Sequence, residues 1–219
     1  MKKFRGFIWF DCDGVLTDID SSWRYLHEYF GSSDNRIFME LYRSGSLSYM
    51  DWMKIDVALM IAAKGGLISR LEVEDAFSRI GVRRDAVETI YELKKLGLGV
   101  GVISSGIGIL VNRICSELNV DECLYNDLVF INGLLIPGGV SRVPLKNKVF
   151  VIDEYSWKYG FTLRDVVYVG DSDWDIDVFQ QVGLAIAVKP CGNACNKAHF
   201  VVENLKEIIP LIKKFYGLT

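Results

Sequence analysis

The chain has 219 residues, half of them hydrophobic and 12% aromatic, with 25 basic and 28 acidic side chains for a net charge of -3. That much apolar material fills a sizeable core and excludes global disorder, and the slight acidity lacks the basic footprint of a nucleic-acid binder. The length suits one ordinary domain enlarged by an insertion better than two equal domains.

Residues 6–10 are a short continuous apolar run ending in acids and a glycine, the pattern of a buried strand followed by a turn. The run is too short for a secretory signal, because Asp11 and Asp13 end it at once. From 21 to 81 only helical patterns occur. Ser48-x-x-Asp51 and Ser69-x-x-Glu72 open helices in the manner of capping boxes, and Gly65-Gly66 is a stop. Between them Met50, Met53, Val57, Met60 and Ile61 are flanked by Trp52, Ile55 and Leu59. So broad an apolar surface predicts a helix buried between other elements, which can also line a pocket.

Strand and helix then alternate. Helices are predicted over 85–96, 109–118, 150–159, 176–182 and 205–216, the last containing Pro210, and strands over 98–103, 166–169 and 184–188. Asn132-Gly133 between apolar residues of 128–136 signals a hairpin with a type I′ turn. The fold class expected is α/β: a doubly wound, mainly parallel sheet carrying an inserted helical bundle and a small β-hairpin. The expected division is a core of 1–16 and 83–219 and a helical cap of 17–82. The five cysteines, Cys12, Cys115, Cys123, Cys191 and Cys195, complete no zinc pattern and read as free thiols. With no apolar stretch of the ~18 residues that cross a membrane, a cytoplasmic protein without a membrane partner is expected.

Ligand sites in open parallel sheets lie beyond the carboxyl ends of the strands, and three strand ends here carry chemistry. The first gives Asp11-Cys12-Asp13-Gly14, two acids directed at one pocket. The second gives Ser104-Ser105-Gly106, hydroxyls and backbone N–H groups at an expected helix start, suited to cradling phosphate. The third gives Gly170-Asp171-Ser172-Asp173-Trp174-Asp175. Clustered acids repel one another unless a cation intervenes, and all-oxygen ligation points to Mg²⁺.

The order Asp11-x-Asp13-Gly14, serine, lysine, Gly170-Asp171-x-x-x-Asp175 resembles the haloacid dehalogenase-like phosphohydrolase superfamily, spanning the chain from Asp11 to Asp175. The helical insertion after the first motif is similar to the subfamily that includes phosphoserine phosphatase. The resemblance implies a phosphatase acting on a small phosphorylated metabolite, with Asp11 as nucleophile and Asp13 as general acid and base. It also implies that Ser104, Ser105 and Gly106 hold the phosphoryl oxygens. Asp11, the Asp13 backbone carbonyl and Asp171 would ligate Mg²⁺, and Asp175 would support the metal shell or orient the lysine. Lys146 and Lys148 compete for the lysine role, and Lys148 better matches the spacing to Asp171 and opens the helix containing Phe150.

The chain departs from this pattern at two positions. Asp56 stands where phosphoserine phosphatases place a cap arginine for the substrate carboxylate, and an acid there repels a carboxylate. Trp174 replaces a usual asparagine and should narrow or cover the pocket. Asp20 matches the acid that meets the substrate amino group, although Asp18 and Asp20 also read as solvated acids at a helix start. Other readings are weaker. In a receiver domain the acidic pair comes first and the phosphorylated Asp lies on a later strand, ahead of the hydroxyl and lysine. The glycines at 97, 99 and 101 lie before and within a strand, which fails the dinucleotide pattern. Transfer to an acceptor other than water, or binding without catalysis, would use the same motifs. Oligomeric state is not encoded in any of these features.

Overall fold

A computed structural model describes residues 4–33 and 36–219. Among them seven strands form one sheet: β1 (Phe7–Phe10), β2 (Gly99–Ile107), β3 (Glu122–Ile131), β4 (Leu134–Val140), β5 (Val166–Gly170), β6 (Leu184–Val188) and β7 (Phe200–Val202). The order is β4-β3-β2-β1-β5-β6-β7. Every pairing is parallel except β3 with β4.

β1 sits at the centre, fully buried because all four of its side chains are apolar. Ile8 and Phe10 enter the core on one face of the sheet, Phe7 and Trp9 the core on the other, as the two-residue repeat of a strand requires. Fully burying a side chain of this size contributes roughly 1.5–3 kcal/mol, so a sheet centred on β1 is strongly favoured. On the first face pack α5 (Arg84–Lys95), α6 (Gly108–Leu118) and α9 (Ile208–Tyr216). On the second pack α7 (Lys148–Trp157) and the single turn α8 (Ile176–Phe179). This is the expected doubly wound α/β architecture.

The insertion after β1 contains α1 (Ser22–Tyr29), α2 (Arg36–Arg43), α3 (Tyr49–Lys64) and α4 (Arg70–Ser78). Their ends follow the local signals. Ser48 caps α3 by accepting from the Asp51 N–H, Gly65 closes that helix at φ 76°, and Ser69 with Glu72 forms a full capping box on α4. An isolated antiparallel bridge, Thr17 to Val82, brings the two ends of the insertion together. Leu26, Val57, Met60, Val73 and Phe77 of the insertion join the first-face core. Met53, Val57 and Met60 are the buried apolar side of α3, whereas Met50 faces out.

Several expectations need correction. β2 does not stop at Ile103 but runs to Ile107 with a register shift against β3, so α6 begins at Gly108 and the Ser104–Gly106 stretch is strand rather than helix start. The 176–182 helix shrinks to one turn. β7 had no sequence signal, being three residues long with Phe200 and Val201 exposed at the edge. Residues 205–207 are a 3₁₀ turn, and Pro210 falls in the first turn of α9, where its missing N–H costs nothing. Asn132 and Gly133 both have positive φ, at 49° and 77°, as a type I′ turn demands. Four of the five cysteines are not free: Cys115 bonds Cys123 and Cys191 bonds Cys195, leaving the buried Cys12 as the free thiol.

Candidate active site

The sheet reverses its direction of growth at β1, between β2 and β5, and the crevice beyond these strand ends is where open α/β sheets bind ligands. A cavity of about 290 Å³ lies there, lined on the core side by Asp11, Asp13, Ser104, Lys148 and Asp171. Asp11 follows β1 directly, and its N–H still bonds the Val169 carbonyl of β5 at 2.9 Å. Its carboxylate accepts from the Cys12 N–H at 2.8 Å and from Lys148 Nζ at 3.1 Å. Asp13 turns the other way, its Oδ2 accepting from the Ser22 N–H of α1 at 2.7 Å. Gly14, at φ 72°, allows Asp171 to approach: a Cβ at position 14 would lie 2.0 Å from Asp171 Oδ2.

Lys148 is 1% exposed and opens α7. Besides Asp11, its ammonium donates to Asp175 at 2.8 Å and to the Tyr168 hydroxyl at 3.0 Å. Lys146 points elsewhere, donating to the carbonyls of Tyr42 and Arg43 at the end of α2. Asp175 has both oxygens engaged. Oδ1 accepts from Lys148 and from Tyr168 at 2.5 Å, and Oδ2 accepts from the N–H groups of Asp171 and Ser172 and the Ser172 hydroxyl, each at 3.1 Å. Tyr168 therefore belongs to the site, although no sequence motif marks it. It sits on the strand itself, where an aromatic residue reads as core.

Electrostatics divide the acids. Burial works to raise Asp175, but the charge and hydrogen bond of Lys148 outweigh it and hold this carboxyl below its ordinary value. Asp11 and Asp175 keep Lys148 protonated against its own burial. Asp11 is pushed up to about 6, first by burial and then by the neighbouring carboxylates, against the pull of Lys148. Asp171 is pushed up to about 9 by burial, with Asp175 and Asp11 adding to it. Burial also raises Asp13. One ammonium does not balance these carboxyl groups. Asp11, Asp171 and Asp175 each offer an oxygen within 4.8 Å of the others, an all-oxygen donor set that fits a hard divalent cation.

The insertion closes the cavity with Asp20, Trp23, Arg24, Arg36, Trp52 and Asp56, and Trp174 completes it from the core. Asp56 is buried, with Oδ1 3.3 Å from His27 Nε2. Asp20 is exposed at the mouth and paired with Arg24. Arg24 and Arg36, which no sequence motif marks, are cations of the lining. Their roles depend on the tertiary placement of α1 and α2, which their spacing does not reveal. Trp174 lies against Tyr42, with centroids 5.9 Å apart, and under the Arg43 guanidinium at 5.1 Å. It thus joins the core to the insertion over the pocket.

A model of the haloacid dehalogenase-like hydrolase family matches residues 8–180. A phosphoserine phosphatase of Methanocaldococcus jannaschii is 31% identical over 217 residues, aligned over 97% of this chain and 100% of that protein. A solved structure described as a phospho-aspartyl intermediate analogue of phosphoserine phosphatase superposes with TM-score 0.80 at 28% identity, covering 96% of this chain and 99% of that one. A substrate-bound phosphoserine phosphatase complex superposes with TM-score 0.77 at 26% identity, covering 96% and 99%. The chain belongs to the haloacid dehalogenase-like hydrolase family, on its phosphoserine phosphatase-like branch. It is a phosphoric monoester hydrolase, a phosphatase working through an aspartyl-phosphate intermediate.

Proposed function

We propose that the substrate is a small phosphomonoester with an anionic leaving group, that Mg²⁺ is the metal, and that residues 17–82 act as a cap over a core of 1–16 and 83–219. The observation that carries the reading is the convergence of Asp11, Asp13, Ser104, Lys148 and Asp171 on one cavity of about 290 Å³, a volume suited to a small metabolite. The Thr17–Val82 bridge supports the division, because it makes a neck between the two parts. Arg36, with the Arg24–Asp20 pair beside it, supplies positive charge for the leaving group, and Asp56 faces His27 within the insertion. O-phosphoserine, whose leaving group carries a carboxylate, is one ester to be tested in this class.

In the proposed reaction Asp11 attacks phosphorus and displaces the alkoxide in line. Asp13 gives its proton to the departing oxygen, a role that burial assists by raising this carboxyl above its ordinary value. Asp13 then takes a proton from the water that cleaves the aspartyl-phosphate. Ser104 and the Gly106 N–H hold phosphoryl oxygens, and Lys148 offsets the negative charge gathered in the transition state. Asp11, the Asp13 backbone carbonyl and Asp171 would hold Mg²⁺, with Asp175 orienting Asp171 and Lys148. The bound cation supplies charge neutralisation between the attacking carboxylate and the phosphate dianion.

The test is phosphate release from a panel of small phosphomonoesters that includes O-phosphoserine, with and without Mg²⁺. The expected result is Mg²⁺-dependent turnover of anionic members and an acid-stable, hydroxylamine-sensitive phosphoryl label on the wild-type chain. Asp11→Asn should lose both label and turnover while keeping the wild-type circular dichroism. Turnover by a clean Asp11→Asn preparation would overturn the assignment of the nucleophile. Absence of release from every ester, with Mg²⁺ bound, would favour a phospho-ligand-binding protein.

A further inference from the structure

The Ser105 carbonyl accepts three hydrogen bonds: from the Tyr49 hydroxyl at 2.9 Å, from Asn126 Nδ2 at 3.2 Å and from Trp23 Nε1 at 3.3 Å. It lies where β2 loses register with β3, so side chains here hold a stretch that the regular ladder leaves. The donors come from three elements. Trp23 is on α1 and Tyr49 opens α3, both within the insertion, whereas Asn126 is on β3 of the core. Asn126 is 1% exposed and further anchored, its side-chain oxygen accepting from the N–H groups of Arg142 and Val143, each at 2.8 Å. Its amide nitrogen also donates to the Val143 carbonyl at 2.8 Å.

A trans peptide is planar, with C=O and N–H on opposite sides, so a carbonyl held by three donors fixes the direction of the following N–H. That N–H belongs to Gly106 and points to Ser104 Oγ at 3.1 Å, on the cavity wall. The peptide has no room to slip sideways. A Cβ at Gly106 would lie 2.7 Å from Ser22 Oγ and 3.0 Å from Asp13 Oδ2. The next N–H, of Ile107, is held by Ser22 Oγ at 3.1 Å, again from the insertion. Burial raises the Tyr49 hydroxyl above the ordinary tyrosine range, so it remains a donor at any working pH.

We propose that Tyr49 is a positioning residue that couples closure of the insertion to assembly of the phosphoryl site. Its hydroxyl holds the Ser105–Gly106 peptide in the orientation that turns the Gly106 N–H and Ser104 toward the transferring group. The core supplies Asn126 permanently, and the insertion completes the set through Tyr49 and Trp23 only when seated. The phosphoryl cradle is thereby best formed when the pocket is covered, which favours transfer over exposure of the intermediate to bulk water. The inference rests on reading Ser104–Gly106 as the phosphoryl cradle.

Tyr49→Phe removes the hydroxyl and keeps the ring. Loss of one neutral hydrogen bond in the transition state lowers kcat about tenfold, with KM within about twofold of wild type. Vanadate, which adopts the five-coordinate geometry of the transferring phosphoryl group, should bind more weakly by the factor lost in kcat/KM. The Gly106 amide ¹⁵N resonance should shift, because its peptide carbonyl loses a donor. Tyr25→Phe is the control, since the Tyr25 hydroxyl donates to the Ala76 carbonyl within the insertion, and it should leave all three readouts at wild-type values. An unshifted Gly106 resonance with unchanged vanadate affinity would overturn the proposal, as would a rise in KM alone, which would make Tyr49 a leaving-group contact. If the wild type releases no phosphate, the functional reading fails separately, and the resonance and vanadate titrations still decide the role of Tyr49.

Discussion

At the scale of single residues, the site works by dividing one positive charge among several acids. Lys148 commits most closely to Asp175 at 2.8 Å, and Asp11 at 3.1 Å receives the remainder. The two carboxylates therefore differ in character although both touch the same ammonium: one is a fixed anion that orients its neighbours, the other an acid still short of positive charge. Lys148→Met removes the ammonium and leaves these buried carboxylates facing each other. Breaking a buried pair in this way costs about 3–5 kcal/mol. The expected outcome is a lower urea midpoint in the absence of divalent cation, partial recovery on adding Mg²⁺, and no turnover in either condition. A variant as stable as the wild type in chelator would show that Lys148 is not the balancing charge. Spacing alone favours Lys148 over Lys146, and the geometry separates them because residues two apart near a helix start point in different directions.

At the scale of elements, the insertion is fastened by local devices that the sequence displays. The capping box of α4 is one. Glu72 accepts from Lys64 and from the Ser69 N–H and hydroxyl, and these partners, Lys64 first, lower its carboxyl from an ordinary 4.5 to about 2. A carboxyl depressed in the folded state stabilises above its unfolded pKa and loses that contribution as pH falls through the folded one. The window is therefore from about pH 4.5 down to about 2. Thermal midpoints of wild type and Glu72→Gln should differ most near neutrality and converge as pH falls through this window. A difference that stays constant with pH would mean that Glu72 acts by packing rather than charge. Other element boundaries were less legible. β2 continues past Ile103 because Ser22, Tyr49 and Asn126 hold its polar end, and none of them is a sequence neighbour.

At the scale of the whole molecule, two covalent links lie outside the expected picture. Cys115 and Cys123 are 8 residues apart, joining the end of α6 to β3, and Cys191 and Cys195 are 4 apart around a 3₁₀ turn. Because both loops are short, the chain-entropy estimate is only about 2–3 kcal/mol for each bond. Thiol titration of the unfolded, unreduced protein should find one reactive group, Cys12, and complete reduction should lower the unfolding free energy by up to about 5 kcal/mol. Five reactive thiols without reduction would show that neither bond forms. Catalysis should survive reduction, since neither bond touches the cavity lining.

By itself the sequence determined the sheet strands that are continuously apolar, the helical insertion, the type I′ hairpin and the order of acids, hydroxyls and acids at three strand ends. Each of these is written locally, in a period of two or 3.6, a capping pair, a turn dipeptide or a short motif. The tertiary structure alone decided which lysine meets Asp11, that Tyr168 joins Asp175, that Asp56 faces His27, that Arg24 and Arg36 reach the pocket, and that four cysteines pair. These are contacts between side chains distant along the chain or set by loop geometry. Their distances follow from how the insertion packs on the sheet, and no periodicity records that. The Ser105 carbonyl shows the difference most plainly: its three donors lie 82, 56 and 21 residues away, and only folding brings them to one atom.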